Sequence, residues 1–288
     1  MVFNLQAIMF MGVPQKEITM ENIREFMVDE ATKRINFASS HVNALRRTEQ
    51  EQGGKITLPF ADTIQPIMEK KLGADKRLFS SKFGGIWRGI VTDEEYSSFE
   101  EFISKYNNIV FLRDNLDLSI ALSMNYEGDE RTEIGELEYQ AKFNNDEDAE
   151  SQLVDICKEW IDELPYYKHA DYICAMPSSN PDEESLPERI VNSLTDFDFT
   201  DISEKVLWHS KTRSIKDAED VEEKLEILEE SNLTIAKDLD INGKTVILFD
   251  DLYMSGISMQ YVAMKLKEAG ANRVLGLSIV KSRSNTAR

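Results

Sequence analysis

The chain has few of the residues from which disulfide frameworks and metal centres are built. Only two cysteines and three histidines occur in 288 residues. Cys157 and Cys174 cannot form the disulfide framework of a small secreted domain, and no Cys/His cluster has the spacing of zinc ligands. We therefore expect a reducing, cytoplasmic environment and no structural zinc.

Positive charge and long apolar runs are also scarce. Lys and Arg number 33 against 53 Asp and Glu, which gives a formal net charge of −20. A chain of this charge repels a phosphate backbone on average, so nucleic acid is not an expected partner. No run of eighteen apolar residues occurs, and the opening residues lack the basic start and cleavage site of a signal peptide. We expect neither a membrane span nor a secretion signal.

The first 128 residues have mainly helical periodicity. Apolar residues recur at spacings of three and four over residues 19–50, and further helices are predicted over 62–71 and 93–106. The segment FGGIWRGI is interpreted as a glycine-bearing turn, and strands are predicted around 109–111 and 118–126. Residues 1–128 contain no motif of recognisable chemistry. They are predicted to form a helix-rich N-terminal region of unknown role.

Residues 129–288 alternate helices with short apolar strands. The acidic run AEDVEEKLEILEESN is interpreted as a solvated amphipathic helix. Strands separated by helices indicate βαβ crossovers, so the predicted fold class is α/β, with a mostly parallel central sheet flanked by helices. The predicted helices cover 134–143, 146–164, 186–194 and 258–269, and the predicted strands cover 172–176, 206–208, 245–249 and 273–280.

The segment KTVILFDDLYMSGISMQ combines the features of a ligand site. Its apolar strand ends on two carboxylates, Asp250 and Asp251, and ligands bind at the carboxyl ends of parallel strands. A small polar turn over residues 255–258 opens a helix, whose free N–H groups and dipole favour phosphate. Carboxylates accept hydrogen bonds from vicinal hydroxyls and help to hold divalent cations. Together these features suit a phosphorylated ribose.

The segment VILFDDLYMSGIS resembles the phosphoribosyl-pyrophosphate (PRPP) binding motif of type I phosphoribosyltransferases. That motif has four apolar residues, two acids and a Thr/Ser-Gly-x-Thr/Ser turn. The segments GELEYQAKF, ADYICAMPSSNP, KTRS and INGKTVILFDD resemble, in the same order, segments of ComF-like members of the family. The resemblance covers about residues 131–283 and implies a phosphoribosyltransferase-like fold for a domain over residues 129–288.

The resemblance also implies roles for individual residues. Asp250 and Asp251 match the acids that bind the ribose 2′ and 3′ hydroxyls. The segment that contains Lys211 and Arg213 is similar to a mobile basic loop, and these two side chains are expected to stabilise charge on departing pyrophosphate. Mg²⁺ is the implied cofactor, held mainly by the oxygens of the ligand, and no residue is predicted as a metal ligand. The 5-phosphate loop is matched by Ser255, Gly256, Ile257 and Ser258, and the pyrophosphate loop by Pro177, Ser178 and Ser179.

Departures from the family pattern leave two functions open. Met254 stands where many of these enzymes have Asp, Thr or Ser, and a thioether cannot act as acid or base. The basic segment is followed by Asp217, Glu219 and Asp220, whose charge opposes pyrophosphate. The N-terminal cysteine zinc module of ComF-like proteins is missing. The first expectation is that the chain binds PRPP or a related phosphorylated ribose with Mg²⁺ and transfers the phosphoribosyl group to an acceptor. The alternative is an inactive sensor of a nucleotide or pentose phosphate that acts on a protein partner through the N-terminal region.

Overall fold

The computed structural model describes residues 8–49, 52–178, 183–209, 213, 215 and 218–283. None of the helices in these ranges is both long and apolar enough to span a bilayer. The helices are α1 Met20–Val28, α2 Ile64–Leu72, α3 Asp93–Lys105, α4 Glu133–Phe143, α5 Glu147–Glu163, α6 Leu186–Ser193, α7 Val221–Glu230 and α8 Ile257–Glu268. The strands are β1 Arg34–Ile35, β2 Leu45–Arg47, β3 Gly54–Leu58, β4 Phe79–Ser80, β5 Ile86–Ile90, β6 Val110–Leu112, β7 Leu118–Met124, β8 Tyr126–Glu127, β9 Glu130–Arg131, β10 Tyr172–Ala175, β11 Thr200–Asp201, β12 Val206–Trp208, β13 Leu233–Ile235, β14 Thr245–Tyr253 and β15 Arg273–Lys281.

Seven strands form a central sheet in the order β1-β6-β7-β15-β14-β10-β11. Five consecutive strands of this order, β7, β15, β14, β10 and β11, are parallel to one another. At the other edge, β1 and β6 pair antiparallel. Every residue of β15 is buried, as is typical of a central strand covered by helices on both faces. This architecture confirms the predicted α/β class with a mostly parallel central sheet and flanking helices.

The central sheet takes strands from both sides of residue 128. Strand β7 pairs with β15 from Leu118, opposite Leu275, to Met124, opposite Lys281. Local periodicity predicts a strand here but not its partner, because the two strands lie far apart in the sequence. The division into domains at residue 128 stays a prediction, and the hydrogen-bonded sheet continues across it.

The prediction of one long helix or two over residues 19–50 is wrong beyond Val28. Helix α1 ends there. The Asp29 carboxylate accepts a hydrogen bond from the Ala31 amide and forms an ion pair with Arg113. Ile35 then lies in β1 opposite Phe111 of β6. The apolar spacing across this segment therefore combines a short helix with strands, and tertiary pairing overrides the helical pattern.

The segment FGGIWRGI contains a turn but continues as a strand. Gly84 and Gly85 both have positive φ and form the turn, and β5 begins at Ile86. Strand β5 belongs to a separate antiparallel sheet in the order β2-β3-β5-β4. Ile86 and Ile90 face the core, whereas Trp87 is exposed. This alternation is the mark of a half-buried strand.

Strand β12 lies outside the central sheet. It pairs antiparallel with β13, and α7 lies between these two strands in the sequence. The acidic run thus forms the predicted helix. Its apolar side packs into the core through Leu225 and Leu228, and Lys224 is buried beside them. This helix and the β12–β13 pair form a unit beside the carboxyl end of the central sheet.

Both cysteines are buried free thiols, Cys157 on α5 and Cys174 on β10. Burial raises the pKa of Cys157 to about 12. It also raises the pKa of Cys174 well above its usual range. Because the thiolate is the nucleophile and the metal ligand, neither residue is poised for chemistry at neutral pH.

Candidate functional site

The two motif carboxylates lie inside β14. The sequence predicts a strand ending at residue 249, but the structure continues it to Tyr253 through pairing with β15. Asp250 is paired opposite Ser278, and β10 lies along the other side of β14 up to Phe249. Side chains alternate along a strand, so Asp250 and Asp251 are directed to opposite faces of the sheet.

A pocket of about 370 Å³ lies at the carboxyl end of β14. It brings Asp250 together with the turn over residues 254–258, and Ile215 and Lys224 contribute the wall from the side of α7. Its volume lies in the range that takes a small organic ligand. Five of the predicted site residues line it: Asp250, Ser255, Gly256, Ile257 and Ser258.

The turn at the start of α8 requires glycine. Gly256 has a φ of 79° in the left-handed region and is the N-cap residue of α8. A Cβ placed there would lie 2.0 Å from the hydroxyl oxygen of Tyr253. Tyr253 is buried and donates a hydrogen bond of 3.0 Å to Asp114 Oδ2. The turn is therefore folded closely over a fixed aromatic ring.

The same turn presents donors for an anion. The N–H groups in the first turn of a helix have no acceptor within the helix, and the helix dipole adds positive potential there. Ser255 and Ser258 are partly exposed beside these groups, and Ser255 Oγ accepts from the Ile257 amide at 3.5 Å. Two adjacent hydroxyls and a helix N-terminus form a suitable cradle for phosphate.

A buried lysine holds the turn from the neighbouring strand. Lys281 at the end of β15 donates from Nζ to the Met254 carbonyl at 2.9 Å and to the Ser282 carbonyl at 2.7 Å. Burial, with Arg34 nearby, lowers the pKa of Lys281 to about 7. The sequence analysis missed this residue, because its only signal is a cation at the end of an otherwise apolar strand.

Asp251 forms an ion pair on the other face of β14. Its Oδ2 lies 2.6 Å from Nζ of Lys142 on α4, and Lys142 also lies 3.7 Å from Oε1 of Glu138. Burial lowers the pKa of Lys142, but the carboxylates of Asp251 and Glu138 outweigh that effect and raise it. Glu138 and Lys142 were not predicted. Their signal was the i,i+4 spacing of opposite charges within GELEYQAKF.

Two carboxyl groups at this site have raised pKa values. Burial raises the pKa of Asp250 well above its usual range, the adjacent Asp251 carboxylate raises it further, and Lys142 opposes both. Burial and Asp251 raise the pKa of Glu138 to about 7. Perturbed carboxyl groups beside a pocket are typical of functional sites.

We expect the Glu138→Gln variant to gain stability over the wild type as the pH rises. Folding raises the pKa of Glu138 from its usual 4.5 to about 7. Its stabilising contribution is therefore complete below pH 4.5 and is lost as the pH rises through about 7. The loss amounts to about 3 kcal/mol, and a neutral Gln does not undergo it.

Urea unfolding of both proteins at about pH 4.5 and pH 8 measures this difference, since other titrating groups cancel between them. A stability difference that stays the same at both pH values would contradict the assigned pKa of Glu138.

The other predicted site residues that the structure describes do not line the pocket. Pro177 and Ser178 follow β10 at the same edge of the sheet as Asp250, and the Pro177 carbonyl accepts from Trp208 Nε1 at 3.0 Å. Arg213 forms an ion pair of 2.5 Å with Glu223 and, within the described part of the chain, does not line the pocket. Ser179 and Lys211 lie outside the described residues. The roles assigned to these five predicted residues stay predictions.

No group of three or more His, Cys, Asp or Glu side chains in the described ranges is arranged to hold a metal ion. Any divalent cation at the pocket would therefore depend on ligand oxygens as well as on Asp250.

No family model matches the chain, and no curated protein matches it. Among solved structures, a hypoxanthine phosphoribosyltransferase from Staphylococcus aureus is 16% identical, with a TM-score of 0.31, over 48% of this chain and 68% of that chain. A purine phosphoribosyltransferase from Pyrococcus horikoshii is 16% identical, with a TM-score of 0.28, over 46% and 82%. A hypoxanthine-guanine phosphoribosyltransferase from Bacillus anthracis is 15% identical, with a TM-score of 0.29, over 47% and 71%. At these values the likeness establishes neither an activity nor a substrate for this chain.

Proposed function

We propose that the chain binds PRPP or a related phosphorylated ribose in the pocket at the carboxyl end of β14. The observation that supports this function is that one pocket is lined by both Asp250 and the glycine turn at the start of α8. Phosphate would bind the first-turn N–H groups and the hydroxyls of Ser255 and Ser258. Ribose hydroxyls would donate to Asp250. A sugar phosphate carries both kinds of group.

Mg²⁺ fits the oxygen donors of this pocket. Carboxylate and phosphate oxygens are the ligands that the ion prefers, and Asp250 is the carboxylate that lines the pocket. When bound, Mg²⁺ would supply neutralisation of the diphosphate charge. The chain itself would hold the ribose hydroxyls at Asp250 and the phosphate at the turn.

For a transfer reaction, the pocket would stabilise charge rather than supply a nucleophile. As pyrophosphate leaves, the ribose C1 gains positive charge, and negative charge develops on the leaving group. Asp250 lies beside the position proposed for the ribose, and the helix N-terminus lies beside the position proposed for the phosphate. Rate acceleration would come from groups that bind this charge distribution more tightly than they bind the ground state.

A sensor without catalytic activity is the second candidate, and two observations favour it. Met254 is 41% exposed at the pocket and offers neither an acid nor a base. Arg213, expected to stabilise the leaving group, is paired with Glu223. A sensor would bind the ligand without turnover and report it to a protein partner through the N-terminal region.

We expect calorimetric titration with PRPP and Mg²⁺ to give saturable binding, with weaker binding of ribose 5-phosphate and none of ribose. The order follows from the number of anionic groups that the helix N-terminus can accept. Incubation with a panel of bases then separates the two candidates: release of pyrophosphate that depends on an acceptor shows a transferase, and binding without release shows a sensor. If PRPP binds no better than ribose, the proposed function is wrong.

A further inference from the structure

Helix α7 buries a lysine at the pocket. Lys224 is 6% exposed and belongs to the buried side of the helix, together with Leu225, Ile227 and Leu228. Lysine is almost never buried to this extent unless its charge is paired. The sequence does not predict the burial of Lys224, because this residue lies in an acidic run that is typical of a solvated helix.

Nothing in the described residues pairs with the Lys224 ammonium through a hydrogen bond or an ion pair. The nearest acids along the helix have other partners: Glu222 pairs with Arg24 at 2.5 Å, and Glu223 pairs with Arg213 at 2.5 Å. Asp220 caps α7 by accepting from the Glu223 amide at 2.9 Å. The side chain is mostly buried, but its ammonium does not belong to the fully buried polar atoms that lack a partner and so keeps contact with solvent. An ammonium in this position can accept an anion from outside the chain as its partner.

Lys224 lines the pocket that contains the turn over residues 255–258. Two independent sources of positive potential, Lys224 of α7 and the N-terminus of α8, therefore belong to the lining of the same 370 Å³ pocket. Ammonium groups and helix N-termini both bind phosphate oxygens, the first as a point charge and the second through N–H groups.

We propose that Lys224 is an anion-binding residue of this pocket and binds a phosphate group of the ligand together with the first turn of α8. The proposal rests on the proposed function, and it deepens that function by naming the cation at the phosphate position. It also moves the cationic role from Arg213, which is paired with Glu223, to a lysine that lines the pocket. The acidic helix α7 would then be part of the binding site.

Calorimetric titration with inorganic phosphate and pyrophosphate tests the role of Lys224. We expect Lys224→Met to weaken binding of both anions at least about tenfold, the loss typical of a charged hydrogen bond. Lys224→Arg keeps the charge and should retain most of the affinity. The matched control is Lys237→Met, which removes the same charge from an exposed position that does not line the pocket and should leave the affinity unchanged.

Thermal unfolding gives a second readout that a merely structural lysine would not produce. Without ligand, Lys224→Met should unfold at a temperature no lower than that of the wild type, because Met keeps the packing of the apolar stem and the ammonium makes no ion pair within the described residues that the variant would lose. Phosphate should then raise the unfolding temperature of the wild type more than that of the variant. A structural lysine would give a less stable variant with an unchanged response to phosphate.

Equal affinity of the wild type and Lys224→Met for both anions would overturn the proposal, and so would an absence of saturable binding of both anions to the wild type. The proposed ribose function fails separately. If Asp250→Asn binds PRPP as tightly as the wild type while Lys224→Met loses phosphate, the anion site stands and the ribose assignment falls. If Asp250→Asn loses PRPP binding while Lys224→Met binds phosphate as tightly as the wild type, the ribose assignment stands and the proposed role of Lys224 falls.

Discussion

Replacing both Asp250 and Asp251 by Asn should weaken PRPP binding by at least about 100-fold. Hydrogen bonds to a charged group contribute about 1.5 to 3 kcal/mol each. Asp250, ionised in the complex, would accept from two ribose hydroxyls, and loss of both bonds amounts to about 3 to 6 kcal/mol, or roughly 10² to 10⁴ in the dissociation constant. Asp250 lines the pocket directly, whereas Asp251 is paired with Lys142 behind it.

The two single variants should differ in their effect on the fold. Burial already favours the protonated form of Asp250, so Asn at this position resembles the native group and should leave the free energy of unfolding nearly unchanged. Asp251→Asn removes the nearest partner of Lys142 and leaves Glu138 at 3.7 Å. We therefore expect Asp251→Asn to be the less stable variant of the two.

Calorimetry with PRPP and Mg²⁺, paired with thermal unfolding of each variant, separates lost binding from lost folding. The control is Glu226→Gln with Glu230→Gln, which removes two negative charges from exposed positions on α7. It corrects for the change in net charge. Unchanged PRPP affinity in a folded Asp250→Asn/Asp251→Asn variant would show that the motif acids do not bind the ligand.

Proton release provides a further check on Asp250 within the same titrations. Ribose hydroxyls that donate to a carboxylate stabilise its ionised form and lower its pKa. Because the pKa of free Asp250 is raised, binding should release protons into the buffer. The measured heat should then change with the ionisation enthalpy of the buffer in the wild type, and less in Asp250→Asn.

The part of the site that the sequence predicts is the part encoded within one short segment. The apolar strand, Asp250 and the glycine turn are consecutive, and their order alone places them at the carboxyl end of a parallel strand. The pocket lined by Asp250 and the turn agrees with that geometry. The sequence cannot show that β14 extends past the acids to Tyr253, because pairing with β15 determines that extension.

The residues that surround this segment come from distant parts of the chain. Lys142 reaches Asp251 from α4, Lys281 reaches the turn from β15, and Lys224 reaches the pocket from α7. The local sequence pattern around each lysine indicates only an ordinary structural role: an i,i+4 ion pair for Lys142, the end of a strand for Lys281 and an acidic amphipathic helix for Lys224. Their proposed roles depend on tertiary packing, and hydrophobic periodicity does not predict which helix packs against which strand.

Asp117 connects distant parts of the fold, and we expect Asp117→Ala to destabilise the chain by about 3 to 5 kcal/mol. The fully buried carboxylate lies just before β7. Its Oδ1 accepts from the Lys16 amide at 2.7 Å, and its Oδ2 accepts from the Val274 amide at 2.7 Å. Lys267 near the end of α8 lies 2.7 Å from Oδ2. Alanine would leave the Lys16 and Val274 amides without an acceptor. The mostly buried Lys267 ammonium would lose its anionic partner and keep the Asn272 carbonyl at 2.9 Å.

Urea unfolding of Asp117→Ala and Asp62→Ala measures how much of this effect is specific to burial. Asp62 also pairs with Lys16, at 3.2 Å, but both side chains are partly exposed. Partly exposed pairs contribute about 0 to 1 kcal/mol, so the control should lose no more than that. Equal losses in the two variants would mean that Asp117 is an ordinary ion pair. A larger loss at Asp117 would show that one carboxylate fixes the N-terminal segment, β15 and the helix that carries the phosphate turn in a single arrangement.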